Sequence, residues 1–225
     1  MKQRVILDYL VSALSSDINA SRLSVSNFIE ERRPEEIWKQ KVFCVLSSQF
    51  SAHRAASIVS RITKDISFFD STLSYSMIEG ACSEFLKNPE IGYRFPNIRA
   101  RQISLCWFLF AQIKDYYHEY IQSFDSEERA RDEIVRTFPG MGFKQASMFL
   151  RNIGACRNLS VIDVHILFYL EACHNWKVET LTPKRYLQAE DILRKDALRY
   201  GLELNVFDTI VWGATRALKR KSTYV

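Results

Sequence analysis

The chain has 225 residues, with Lys+Arg 31 against Asp+Glu 26 and a formal net charge of +5 at pH 7. Apolar residues make up 47% of it, enough for a sizeable core, and no stretch approaches the roughly eighteen uninterrupted apolar residues of a membrane-spanning helix. This composition excludes a disordered or membrane-spanning chain, and the mildly basic balance permits a polyanionic partner without requiring one.

Cysteine usage indicates the compartment. Five cysteines, an odd number, are widely spaced along the chain, with no CxxC pair and no zinc-ligand spacing. The N-terminal segment has no clean signal-peptide cleavage pattern. We therefore expect reduced core cysteines and an intracellular protein of the cytoplasm, nucleoid or nucleus. The cysteines are Cys44, Cys82, Cys106, Cys156 and Cys173.

Helical periodicity recurs along most of the chain, and the alternation of Val, Ile and Thr that is typical of strands is missing. The predicted fold class is therefore all-α. Outside the glycine-rich stretch described next, the apolar spacing predicts helices, in chain order, over residues 35–50, 52–66, 97–120, 186–199 and 205–220.

A glycine-rich stretch is the most distinctive local feature. The chain has seven glycines, and three of them fall in FPGMGFKQASMFLRNIG, residues 138–154. Before this stretch, Asp125 followed by Glu128 predicts an N-cap with a capping-box partner. After it, Gly154 is placed to close a second helix that starts at about Phe143. The pattern predicts a helix, a glycine turn and a helix, together a hairpin over residues 126–154.

Lys144 follows the glycine turn, and helical periodicity points it away from the apolar face of the second helix. Gly140 and Gly142 leave the backbone N–H groups unobstructed at a helix N-terminus, which favours a phosphate site that reads no bases. An exposed lysine of no special role is the competing interpretation. Asp163, nineteen residues after Lys144, precedes another apolar helical run and is a candidate N-cap.

These residues resemble the helix-hairpin-helix DNA glycosylases. The motifs are PGMGFK at 139–144, FLRNIG at 149–154 and IDVH at 162–165. FCVLSSQFSA near residue 43 and YRFPNIRARQI near residue 93 are similar to the type-2 8-oxoguanine DNA glycosylase/AP lyases within that superfamily. The resemblance extends over about residues 35–215.

The resemblance implies that Lys144 is the nucleophile, which attacks C1′ of the damaged nucleoside and forms a Schiff base that undergoes β-elimination. Asp163 would stabilise the positive charge that develops on the sugar, and the amides of Gly140 and Gly142 would hold a phosphate. An unperturbed lysine, with a pKa near 10.4, is only about 0.04% neutral at pH 7. The nucleophile therefore needs partial desolvation or nearby cations.

The resemblance also implies a base pocket, since a target base must leave the stack to be reached. Phe95 and Trp212 are candidates to sandwich the base, and Gln49 is a candidate to fill the gap that it leaves. The competing interpretations are two ordinary core aromatics and a polar residue at a helix end.

Two features bear on cofactors and on the base. No cysteine follows Cys173, so the C-terminal iron–sulfur cluster of the endonuclease III branch is not expected, and no other cofactor is implied. Type-2 enzymes end in a lysine whose carboxylate lies at the base pocket, whereas Lys221 here is followed by Ser-Thr-Tyr-Val. The identity of the recognised base is therefore open.

By analogy with the superfamily, we expect two helical lobes, a central one over about 41–158 and a second over about 1–40 plus 159–225. The predicted function is a bifunctional glycosylase/AP lyase that excises an oxidised purine from double-stranded DNA, with 8-oxoguanine as the leading candidate. The protein is predicted to act as a monomer and to have no membrane partner. The alternatives are the same chemistry on another modified base, or a non-catalytic hairpin that only binds DNA.

Overall fold

The computed structural model describes residues 2–21, 33–48 and 50–222. The described residues form eleven α-helices and one short 3₁₀ helix and contain no strand, which confirms the predicted all-α class. In chain order these are α1 (Lys2–Ser21), α2 (Pro34–Leu46), α3 (Ala52–Asp65), α4 (Tyr75–Lys87), α5 (Pro96–Ala111), the 3₁₀ helix (Lys114–Tyr116), α6 (Tyr117–Gln122), α7 (Glu127–Thr137), α8 (Phe143–Asn152), α9 (Val164–His174), α10 (Pro183–Arg199) and α11 (Leu204–Ser222).

The single helix predicted over 97–120 is wrong. Helix α5 ends at Ala111, and α6 begins at Tyr117 after the 3₁₀ turn. In one continuous helix, Phe110 and Tyr117 would be about 10 Å apart along the axis. The break brings their ring centroids to 5.4 Å in a T-shaped contact. Burial of both rings in the core therefore outweighs the helical periodicity of the segment.

The N-cap predicted at Asp125 is also wrong, by one residue. Ser126 caps α7, and its side chain accepts a hydrogen bond from the Arg129 N–H at 3.2 Å. Serine and aspartate are comparable caps, so composition alone does not separate adjacent candidates. Helices α1 and α4 have no counterpart among the predicted ones.

The chain divides into two compact units. Residues Phe28–Ala155 form one, which we call the hairpin unit, and Met1–Asn27 with Cys156–Val225 form the other, which we call the split unit. Helix α2 belongs to the hairpin unit. The predicted division of the chain into lobes at 41 and 158 stays a prediction.

The hairpin unit has an aromatic core. Trp38 of α2 lies 5.1 Å from Phe68, 5.0 Å from Trp107 and 5.8 Å from Phe110, measured between ring centroids. Helix α2 packs on both α5 and α8, so this core is in contact with the second helix of the hairpin. All five cysteines of the chain are buried free thiols, as predicted. No helix in the described residues has the length and apolar character needed to cross a membrane.

Candidate active site

The hairpin connects α7 to α8 through the predicted glycine turn. The Met141 N–H donates to the Phe138 carbonyl at 3.2 Å, and Gly140 adopts φ +83°, a left-handed conformation that favours glycine. At the far end of α8, the Gly154 N–H donates to Arg151 O and the Ala155 N–H to Leu150 O. This is a Schellman motif with Gly154 at the C′ position, as predicted.

The N-terminus of α8 is open to an anion. Gly142 is the N-cap of α8 and has no side chain that could accept a hydrogen bond from the helix. The first hydrogen bond of the helix runs from the Ala146 N–H to the Gly142 carbonyl, at 2.9 Å. The amides before Ala146 have no acceptor within α8, and no acidic residue lies in its first turn. Together with the helix dipole, these amides form a site suited to a phosphate group.

Gly140 also makes room for a neighbouring side chain. A Cβ atom at this position would lie 2.7 Å from Gln102 Oε1 and 2.8 Å from Gln102 Cδ. Gln102 belongs to α5 and is held by Arg99, which donates to the same Oε1 at 2.6 Å. The turn is therefore packed directly against α5, the helix that begins after Phe95.

We expect Gly140→Ala to lower the free energy of unfolding by about 1–3 kcal/mol, because alanine is strained at this φ and its methyl group would displace Gln102. Gly142→Ala is the matched control, since Gly142 has φ −83° and its added Cβ would be 3.4 Å from Gln145 Oε1. Urea unfolding of the two variants measures the difference. Equal losses would contradict the role assigned to the turn.

Lys144 is the second residue of α8 and is partly buried. Among the described residues of the hairpin unit, no carboxylate pairs with its ammonium. Its charge acts on Cys44 of α2, where burial raises the pKa of the thiol to about 12 and the positive charges of Lys41, Arg151 and Lys144 oppose the rise. Cys44 is therefore neutral, and Lys144 lies beside other cations without a fixed counter-ion.

Asp163 caps α9, which confirms that part of its predicted role. Its Oδ1 accepts hydrogen bonds from the His165 N–H at 2.8 Å and the Ile166 N–H at 3.1 Å. Within the described residues of the split unit, no group donates to Oδ2. Because both hydrogen bonds go to Oδ1, the other carboxylate oxygen of Asp163 can still act on another group.

The segment before Asp163 is held by buried side chains. The backbone N–H groups of residues 160–162 donate in turn to Glu190 Oε1 at 2.8 Å, Asp208 Oδ2 at 2.8 Å and Tyr186 Oη at 3.1 Å. Glu190 and Asp208 are each 1% exposed. Charge-assisted hydrogen bonds in a buried site are strong, so the carboxylate of Asp163 projects from a rigid backbone.

Neither candidate stacking aromatic is a core residue. Phe95 is 40% exposed and is the residue immediately before α5, with the Arg94 guanidinium 5.0 Å from its ring centroid. Trp212 is 36% exposed on α11, and its ring makes an edge contact with His165 at 5.7 Å. The interpretation of both as ordinary core aromatics is therefore wrong, and their stacking role stays a prediction.

The predicted residues form two groups, one in each unit. The turn glycines and Lys144 lie on one hairpin, packed on the helix that follows Phe95. Asp163 and Trp212 are linked through His165, whose N–H is bound by Asp163 and whose ring contacts Trp212. Gln49 lies outside the described residues, so its predicted role is not tested. Lys221 lies in α11, and residues 223–225 are also outside.

The hairpin unit contains a fully buried lysine that was not predicted. Lys41 of α2 is 0% exposed, although lysine is almost never fully buried. The sequence did carry a signal for this. Lys41 lies three to four residues from Ile37, Trp38, Cys44 and Val45, on the apolar stripe of its helix.

In the described part of the chain, no three His, Cys, Asp or Glu side chains form a group that could hold a metal ion. The expectation that the chain needs no cofactor remains a prediction.

Comparison with known proteins identifies the family. A family model described as 8-oxoguanine DNA glycosylase matches residues 20–202. This chain belongs to the 8-oxoguanine DNA glycosylase family. Its relatives in the family include the 8-oxoguanine DNA glycosylase/AP lyase of Korarchaeum cryptofilum, 36% identical over 187 residues that cover 82% of each chain. Another, from Methanocaldococcus jannaschii, has the same name and is 34% identical over 209 residues, 92% of this chain and 93% of the relative.

Solved structures agree with the family. The M. jannaschii 8-oxoguanine glycosylase/lyase in complex with a 15mer DNA containing 8-oxoguanine has a TM-score of 0.69, is 31% identical, and the match covers 94% of this chain and 96% of that one. The 8-oxoguanine DNA glycosylase of Thermotoga maritima has a TM-score of 0.66 at 26% identity, over 92% and 95% of the two chains. The predicted family is thereby confirmed.

Proposed function

We propose that this chain is a bifunctional DNA glycosylase/AP lyase that removes 8-oxoguanine from double-stranded DNA. The observation that carries the proposal is the hairpin, with Lys144 at the start of an anion-binding helix, in a chain of the 8-oxoguanine DNA glycosylase family. The relatives that share most of its length are named for both activities. The enzyme acts inside the cell, where its substrate lies.

The chemistry starts from the neutral amine of Lys144. Its Nζ forms a bond to C1′ of the nucleotide, the bond from C1′ to the base breaks, and the base leaves with the electron pair and takes up a proton. Opening of the sugar ring then gives a protonated Schiff base between Nζ and C1′. Loss of a proton from C2′ breaks the C3′–O bond by β-elimination, which cleaves the strand.

Asp163 assists this step through its charge. Positive charge grows on the sugar as the bond to the base breaks, and a carboxylate held in advance stabilises it without reorganisation. The three buried hydrogen bonds to residues 160–162 supply that preorganisation. Asp163 Oδ2 is the oxygen that serves this role, since Oδ1 is committed to the α9 amides.

DNA is held through its backbone by the hairpin. The amides of Gly140 and Gly142 bind a phosphate, and the net charge of +5 favours the polyanion. Such contacts fix the position of the strand but read no sequence. The same contacts are available to a non-catalytic hairpin, so phosphate binding alone does not separate the two functions.

Phe95 and Trp212 are each proposed to stack on the displaced base. Stacking on an aromatic side chain contributes about 1–3 kcal/mol per base, so Phe95→Ala and Trp212→Ala should each lower kcat/KM for 8-oxoguanine excision by about 5- to 150-fold. Because both rings are exposed, the melting temperature should change little. Phe108→Ala and Leu198→Ala remove apolar residues that are even more exposed, at 55% and 73%, as controls. A loss no greater than in these controls would exclude stacking.

A lesion panel tests the proposed function directly. Duplexes that contain 8-oxoguanine opposite each of the four bases, and duplexes with other oxidised bases, are incubated with the protein and assayed for strand cleavage. We expect cleavage at 8-oxoguanine by a monomer, because one chain carries both candidate catalytic residues. Binding without cleavage of any lesion would support the DNA-binding alternative, and cleavage at a different base would reassign the substrate.

A further inference from the structure

Lys41 is a fully buried lysine of the hairpin unit. Its exposed fraction is 0%, and no carboxylate of the described residues forms an ion pair with it. Its Nζ makes one hydrogen bond, to Tyr117 Oη at 3.2 Å. A buried charge without an ionic partner destabilises the fold, and leucine or methionine would fill this position at a lower cost. The presence of lysine therefore indicates a role for its amine.

The ammonium of Lys41 is surrounded by aromatic rings. Its Nζ lies 3.3 Å from the ring centroid of Phe138, 4.4 Å from that of Phe149, 4.8 Å from that of Tyr117 and 5.6 Å from that of Phe110. All four distances are within the range of cation–π attraction, which is stronger when the cation is desolvated. We call Lys41 and these four rings the lysine cage.

Two rings of the lysine cage come from the two arms of the hairpin. Phe138 follows the last residue of α7 and directly precedes the glycine turn, and Phe149 lies on α8 five residues after Lys144. The two shortest of the four distances are those to Phe138 and Phe149. One cation therefore binds both sides of the turn that carries Lys144.

The titratable groups around Lys41 do not neutralise it. They are Cys44 on its own helix, Cys106 on α5 and Tyr117 on α6, and burial raises the pKa of each thiol to about 12 and that of the Tyr117 hydroxyl well above its ordinary value. From α8, Lys144 and Arg151 reach Cys44 with their charges. Among these neighbours, the attraction for the ammonium therefore comes from the aromatic faces and from the hydrogen bond to Tyr117 Oη.

We propose that Lys41 is a positioning residue for the reaction, whose ammonium binds the faces of Phe138 and Phe149 together and so fixes the spacing of α7 and α8 and the place of Lys144. This inference rests on the proposed role of Lys144 as the nucleophile. Lys41 itself touches neither DNA nor the reacting atoms.

The cage is sensitive to pH. Burial lowers the pKa of Lys41 from 10.5 to about 7, against small opposing effects of Cys106 and Cys44. The cation–π contacts are therefore present below about pH 7 and fade above it. The contribution of Lys41 to the free energy of unfolding depends on pH in the opposite direction. This contribution is full above pH 10.5 and is lost as the pH falls to about 7, because over this interval the unfolded chain binds a proton that the folded chain binds less readily.

The test compares Lys41→Met with wild type in single-turnover excision of 8-oxoguanine, from about pH 5.5 to about 9.5. The ratio of wild-type to variant rate is taken at each pH. We expect a ratio of about ten near pH 6 that falls below about two near pH 9. Lys39→Met, an exposed lysine of the same helix, is the control and should give a ratio near one throughout.

Two further experiments distinguish failure of this inference from failure of the proposed function. Lys41→Met with Tyr117→Phe removes both hydrogen-bond partners and guards against a variant that fails to fold. Hydrogen exchange of residues 138–149, corrected for intrinsic rates, needs no activity: protection should rise between about pH 7 and pH 9 in wild type, in the direction of the stability contribution of Lys41, and stay constant in Lys41→Met. A rate ratio independent of pH, or equal exchange in both proteins, overturns the inference. Absence of cleavage by wild type at every pH overturns the proposed function instead.

Discussion

Replacement of Lys144 by glutamine should abolish covalent trapping on DNA and reduce 8-oxoguanine excision by at least about a thousandfold. Glutamine has no amine that can attack C1′, so neither the Schiff base nor β-elimination is possible. The Lys144 side chain is partly buried and pairs with no carboxylate of the hairpin unit, so its loss should leave the fold intact. The measurement is borohydride trapping on an 8-oxoguanine duplex, followed by gel separation of the adduct.

Two comparisons make this result specific. Lys87→Gln removes an exposed lysine at the end of α4 and should trap as well as wild type. DNA affinity of Lys144→Gln, measured at fixed salt, should remain within about tenfold of wild type, because one charge is lost while the hairpin amides remain. A covalent adduct that persists in Lys144→Gln would show that another amine is the nucleophile.

The second large effect is expected at Asp163. Asparagine accepts the same hydrogen bonds from the α9 amides as aspartate does and is an equally good N-cap. Asp163→Asn therefore keeps the cap and removes only the charge. We expect kcat to fall by about a hundred- to ten-thousandfold while the melting temperature changes little. Single-turnover kinetics and thermal unfolding on the same preparation measure the two quantities.

The competing view is that Asp163 is only a cap. Under that view Asp163→Asn would be active and Asp163→Ala would lose about 1 kcal/mol of stability, as Thr182→Ala should at the N-cap of α10. Full activity of Asp163→Asn would thus assign the residue to helix capping alone. The two substitutions at one position separate the chemistry from the capping.

Prediction from sequence succeeded where the signal is local. A glycine turn, a helix that begins at Phe143 and a closing Gly154 depend on residues within a few positions of one another, and all three are present. The cap at Asp163 is local as well. Backbone conformations of this kind are set by sterics and short hydrogen bonds, which the residue types specify directly.

Prediction from sequence failed where the local structure depends on contacts with residues distant in the chain. The helix predicted over 97–120 breaks because Phe110 and Tyr117 pack together, and the burial of Lys41 follows from rings supplied by four other segments. A lysine on an apolar stripe is a hint of burial, but the stripe alone does not say what surrounds the ammonium. Those surroundings give Lys41 its lowered pKa.

The sequence by itself determined the helical class, the hairpin with Lys144 at the start of its second helix, and the cap at Asp163, because each follows from periodicity and from neighbours along the chain. The tertiary structure decided which side chains are exposed or buried. It placed Phe95 and Trp212 at the surface, held residues 160–162 with Glu190, Asp208 and Tyr186, and enclosed Lys41 among aromatic rings. These features depend on contacts between residues far apart in the chain, and burial and electrostatic environment exist only once those contacts form.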